Sequence, residues 1–190
     1  MKDVARRQDI FARPPPPPPS QTERWSDEEI IRLVDETPCL PGTDNMLVLI
    51  APDTAVKRCW KFDATVAEQL SMQLVYSHTR IPLPRAHRVI QHVHGRGDAY
   101  LVMDYIPKYQ RLQTAWKGMS MWAKLRVIVA LRVYLRQLRR VQHPPSMGKP
   151  GPPGPKPLRC SGLQFYECIK GPFPTSEALA DTIVKVTDEH

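Results

Sequence analysis

Residues 46–59 read MLVLIAPDTAVKRC, two apolar runs parted by a turn. Met46 to Ile50 is continuous and rich in branched side chains, which predicts a buried strand. Ala51-Pro52-Asp53-Thr54 holds the proline and aspartate of a chain reversal. Ala55 to Cys59 then predicts a second strand, and period-two alternation sets Ala55, Lys57 and Cys59 on one face. The two runs together predict an antiparallel hairpin that carries one lysine on a strand face.

Upstream, Ser26 and Glu29 form an S-x-x-E capping box. Ile30, Ile31, Leu33 and Val34 give the helix its apolar side, and Thr37, Pro38, Pro41 and Gly42 end it. Downstream, Ala64 to His78 has helical spacing, with Ala67, Leu70 and Leu74 on one face. Ile81-Pro82-Leu83-Pro84 breaks it into an extended segment. Val89 to Val93 and Tyr100 to Met103 predict two more strands, joined by a turn around Gly95-Arg96-Gly97. Ser120 caps a long helix reaching Val141, with Leu125, Ile128, Leu131, Leu135 and Leu138 on its buried face. A last short helix begins after Thr175 or Ser176. A small antiparallel sheet with a helix on it, followed by a helical region, is an α+β arrangement.

The chain has 190 residues, enough for one domain with a sizeable core. Its 21 prolines cluster, which divides the chain further. Residues 1–24 read as a disordered proline-rich leader and 143–157 as a Pro/Gly-rich linker. Between them lie 25–107, with sheet and first helices, and 108–142, a long basic helix region. Residues 158–190 form a C-terminal segment with the short helix. Pro14 to Pro19 predict an exposed polyproline II run, and Arg13, Pro16 and Pro19 fit the R-x-x-P-x-x-P spacing that SH3-type domains read.

The net charge is +8, and it is unevenly placed. No Asp or Glu occurs between Tyr105 and Tyr166, while twelve Lys and Arg lie from Lys108 to Arg159. Nucleic acid, an anionic membrane or an acidic partner would suit that excess. Without an aromatic-interleaved motif, a solvated helix face is the favoured reading. The four cysteines form no CxxC pair, which argues against zinc. The polar N-terminus shows no secretory signal, and no apolar run spans a membrane, so a cytoplasmic setting is expected. His92 and His94 share one predicted strand face, but no third ligand accompanies them.

Lys57 is the first candidate for chemistry. Glu68 sits in the following helix beside its apolar stripe, where a strand lysine can meet it. Tyr100-Leu101-Val102-Met103-Asp104-Tyr105-Ile106-Pro107 is an apolar strand running into a polar connection stopped by proline. The string IPLPRAHRV, then YLVMDYIP, then LQTAW, resembles the fungal aminoglycoside phosphotransferase-like proteins, relatives of choline kinases with a protein-kinase-like fold. Trp116, Leu138-Arg139 and Gly171-Pro172-Phe173 continue the resemblance in the family's order over roughly residues 26–185.

That resemblance implies a kinase-like N-terminal lobe and hinge followed by the first helices of a C-terminal lobe. Lys57, fixed by Glu68, would meet the α- and β-phosphates of ATP. Met103 would stand at the back of the pocket, and Asp104, Tyr105 and Ile106 would offer hinge backbone to the adenine edge. Asp104 replaces the family's usual glutamate, Lys108 replaces its glycine, and Gly42-Thr43-Asp44-Asn45 stands where a glycine-rich loop would be. The family's His-Gly-Asp catalytic loop and metal-binding aspartate follow its GPF segment, beyond the reach of residues 174–190. His94-Gly95-Arg96-Gly97-Asp98 precedes the hinge and reads as a turn. The expectation is therefore at most weak ATP binding, no magnesium site and no transfer by the chain alone. The alternatives are an interaction module using the proline tract and basic helix, and a half-enzyme completed by another chain. Without further helices to cover it, the leucine stripe of the long helix would be exposed and favour self-association.

Overall fold

The computed structural model describes residues 24–43, 46–91, 99–107, 111–141, 171 and 173–188. The proline run, the turn expected around Gly95-Arg96-Gly97 and the Pro/Gly-rich segment 143–157 lie outside these. The described residues form an α+β arrangement of four antiparallel strands and five helices. The helices are α1 (Asp27–Glu36), α2 (Phe62–His78), α3 (Leu112–Gly118), α4 (Met121–Leu138) and α5 (Ser176–Asp188). The strands are β1 (Leu47–Ala51), β2 (Thr54–Cys59), β3 (Ala86–Gln91) and β4 (Ala99–Asp104), in the order β1-β2-β4-β3.

The hairpin read from residues 46–59 is present, with β1 antiparallel to β2. Alternation splits β2 between two layers. Val56 joins Ile30 and Val34 of α1 in a core with Val48, Ile90, Tyr100 and Val102. Cys59 joins Ala86, Ala99 and Leu101 on the other face, where Phe62 and Met72 of α2 pack. The sheet is therefore covered on both faces, by α1 and by α2. The pairing of β3 with β4 shifts between Ala86 and Arg88. Such an irregularity reverses the alternation. Ala86 and Val89 consequently face α2, while Ile90 joins the α1 core.

Local signals place the helices. The Ser26 hydroxyl accepts from the Glu29 N–H at 3.2 Å, and the Glu29 carboxylate accepts from the Ser26 N–H at 2.8 Å. Arg88 of β3 pairs with Asp27 at 3.0 Å, tying the start of α1 to the sheet. Arg58 ties its end. The guanidinium is buried, donating from Nη2 to the Val34 carbonyl at 2.7 Å and from Nη1 to Cys39 Sγ at 3.1 Å. Ser120 caps α4 by accepting from the Ala123 N–H at 3.3 Å, and Thr175 caps α5 by accepting from the Ala178 N–H at 3.2 Å. Gly171 has φ +86°, and a Cβ there would lie 3.0 Å from the Phe173 ring, so a side chain at this position would be strained. Phe173 in turn packs on Ala178, Leu179 and Ile183 of α5.

Helix α3 was not read from the sequence. Leu125, Ile128, Leu131, Leu135 and Leu138 do not line a buried face of α4; all are exposed, as expected of the stripe where no further helix covers it. No helix among the described residues is long and apolar enough to cross a membrane.

Ile30 is fully buried between α1 and the sheet. Ile30→Ala should lower unfolding stability by about 2–5 kcal/mol, through lost burial and the cavity left behind. Ser26→Ala should cost about 1 kcal/mol through the lost cap. Urea titration of both variants checks the ranking.

Candidate functional site

Lys57 leaves β2 toward α2 because of the same alternation that sends Val56 to the opposite core. Glu68 lies two turns into α2. They meet as the sequence predicts, with Lys57 Nζ donating to Glu68 Oε1 at 2.7 Å and to Oε2 at 2.8 Å. The two side chains remain 33% and 37% exposed. At that exposure the pair adds about 0–1 kcal/mol to stability. Its consequence is positional. Both carboxylate oxygens hold one ammonium, whose third N–H meets no acceptor among the described residues.

The pair stands on the wall of a cavity of about 690 Å³. Small side chains create this space. Ala64, Ala67 and Ser71 share with Glu68 one face of α2 and leave room above β2. Met46 and Cys59 line the strand side, and Trp60 and Lys61 line the connection between strand and helix. Trp60 and Lys61 were not read as site residues from the sequence. The available signal was the small-residue spacing at positions 64, 67 and 71 beside Glu68. Burial pushes the Cys59 thiol pKa up, and the Thr65 hydroxyl and the Lys57 ammonium only partly oppose it. Cys59 is therefore a protonated thiol at neutral pH. Among the described residues, no group of three or more His, Cys, Asp or Glu side chains is placed to hold a metal ion.

The other four candidates lie at the far end of β2 and are not among the cavity lining. Thr54 pairs with Asp104, and Lys57 with Leu101. A strand rise of about 3.3 Å per residue separates Lys57 from the hinge end by roughly 10 Å. Met103 sits in β4 between Ala55 and Ala86. The Asp104 carboxylate is committed to the sheet. Oδ2 accepts from Arg85 N and Nε, each at 3.1 Å, and Oδ1 meets His87 Nε2 at 2.7 Å. The Asp104 N–H donates to the Arg85 carbonyl at 3.0 Å, and the Tyr105 N–H to the Asp53 carbonyl at 2.8 Å. The Ile106 N–H meets no acceptor among the described residues. His92 and His94 lie outside those residues.

Asp104→Asn weakens one charge-assisted anchor between β3 and β4. It should destabilise the fold by about 1–3 kcal/mol in urea titration. Cys59 gives a pH signature. Its raised folded pKa makes its contribution complete below the unfolded thiol's range and lost as pH rises through the folded value. Burial also raises the Tyr100 pKa, which acts in the same direction. Urea midpoints should fall from neutral into alkaline pH, less steeply in Cys59→Ala than in the wild type. Equal slopes would overturn the assignment to Cys59.

Comparison of the chain with protein-family models, curated proteins and solved structures gave no match.

Proposed function

We propose that the chain is a nucleotide-binding lobe of the kinase-like, aminoglycoside phosphotransferase-like type, in which Lys57 receives the phosphates of ATP. The observation that carries this reading is the double hydrogen bond from Lys57 to Glu68 on the wall of a cavity large enough for a ligand. An isolated surface ion pair would carry no such meaning. Here the ammonium is fixed by one carboxylate and keeps a donor for an incoming anion.

The sheet order supports the same reading. β2, which bears the lysine, is the direct neighbour of β4, which runs into the proposed hinge. A ligand reaching from Lys57 to residues 104–106 would lie along β2, over Ala55. That alanine shares the face of Lys57, pairs with Met103 and is itself buried, so the side chains around it must part to admit a ligand there. The Ile106 N–H is the hinge donor left to meet a base edge. The Asp104 side chain acts indirectly, by holding the hinge end of β4 against β3. The chemistry assigned is binding: a fixed cation takes up phosphate charge, and backbone orients the base.

Calorimetric titration of ATP, with and without magnesium, into the wild type and Lys57→Ala tests the proposal. Loss of a charge-assisted hydrogen bond of about 1.5–3 kcal/mol should weaken binding roughly 10- to 100-fold. Absence of binding to folded wild type, or equal binding by both proteins, would sink the reading.

A further inference from the structure

The cavity beside Lys57 opens away from the proposed hinge. Its wall runs from Lys57 to Cys59, the Trp60–Lys61 connection and the first turns of α2. Neither Ala55 nor residues 103–106 belong to it. A nucleotide laid over Ala55 would bring only its phosphates here, and the rest of the space has a chemistry of its own.

Hydrogen-bonding groups on the wall are mostly spent. Thr65 Oγ1 donates to the Lys61 carbonyl at 2.8 Å, Ser71 Oγ to the Ala67 carbonyl at 2.7 Å and Cys59 Sγ to the Lys57 carbonyl at 3.7 Å. Both hydroxyl hydrogens and the thiol hydrogen are thereby used. Both Glu68 oxygens accept from Lys57. The donors that remain are the third Lys57 N–H, the Lys61 ammonium and the Trp60 indole N–H, and none meets an acceptor among the described residues. Trp60 is 64% exposed, and Lys61 beside it is exposed as well. Two ammoniums against one carboxylate leave the wall an excess of positive charge. Between these donors the surface is apolar and polarizable, made by Met46, Cys59, Ala64 and Ala67.

We propose that this cavity binds an aromatic monoanion, a planar ring bearing one carboxylate. The Lys57 and Lys61 ammoniums would meet the carboxylate. The ring would be covered by Trp60 and meet the sulfurs of Met46 and Cys59. Other ligands use the wall less well. A cation meets an excess of its own charge. A neutral ring covers the apolar surface but gives the ammoniums no counter-charge. A polyphosphate answers the ammoniums but must lose water against apolar side chains. The site needs neither hinge nor phosphate, so it stands apart from the nucleotide reading, although Lys57 is common to both.

The test is calorimetric titration of the full chain with 2-naphthoate, 2-naphthamide and 2-naphthylmethylammonium, which share one ring system and differ in charge. Naphthoate should bind at least about tenfold more tightly than naphthamide, and the ammonium compound should bind most weakly. Trp60→Ala should weaken naphthoate about three- to tenfold through the lost ring contact. Lys61→Ala should weaken it about tenfold. Both side chains are on the surface, so circular dichroism should be unchanged in the variants. Proton–nitrogen correlation spectra locate the ligand. The Trp60 indole N–H signal, identified by its loss in Trp60→Phe, should move saturably with naphthoate. Equal affinity for naphthoate and naphthamide, or unchanged affinity in both alanine variants, would overturn the proposal. So would a Trp60 signal that stays still while naphthoate adsorbs on the exposed leucines of α4. Naphthoate binding without ATP binding would sink the nucleotide reading alone, and ATP binding without naphthoate binding would sink this proposal alone.

Discussion

The alternation of six side chains along β2 is the constraint on which the rest depends. Thr54, Val56 and Arg58 point to the layer made by α1, and Ala55, Lys57 and Cys59 to the layer made by α2. Pairing with β4 is unbroken over all six residues of β2, while β1 and β3 each carry an irregularity. A slip of one residue would send Lys57 into the aliphatic core and Val56 into the cavity. That outcome costs far more than any adjustment at the sheet edges, so the central pair stays regular and the outer strands absorb the bends.

What was legible in the sequence was local. The capping box at Ser26, the cap at Ser120 and the start of α5 are each decided by a few neighbouring residues, and the structure has them. Lys57 and Glu68 could be paired on paper because strand and helix periodicities both aim them at the same interface. Helix α3 gave no such signal. Arg111 offers no side-chain cap, and none of its residues is buried, so neither start nor stripe announced it.

The rest needed the tertiary arrangement. The partners of Asp104 are Arg85 and His87, brought to it by a β3–β4 register that contains a shift. No spacing rule yields that shift. The leucines of α4 were readable as a stripe, but whether a stripe is covered depends on what lies opposite. The cavity depended on absences of bulk, at Ala64, Ala67 and Ser71, and small side chains draw no attention in a hydrophobic pattern. The consequence for the site is a division of labour. One end of β2 presents a fixed cation beside open space, and the other is a hydrogen-bonded strand end where the Ile106 N–H meets no acceptor among the described residues.

Arg58 shows how the α1 layer achieves one arrangement. Valine and isoleucine surfaces are smooth, and a short helix could rest on them at several angles with similar burial. A buried guanidinium is not tolerant in that way. Its Nε has no partner among the described residues, its two terminal nitrogens are met by the Val34 carbonyl and the Cys39 sulfur, and a rotated helix would strand those as well. Replacing such a buried cation with a well-packed apolar residue is often neutral or stabilising in proteins. Arg58 is thus better understood as a key than as a fastener. Its contribution is to make every other docking angle of α1 wrong, so the layer reaches a single pose without depending on perfect shape complementarity.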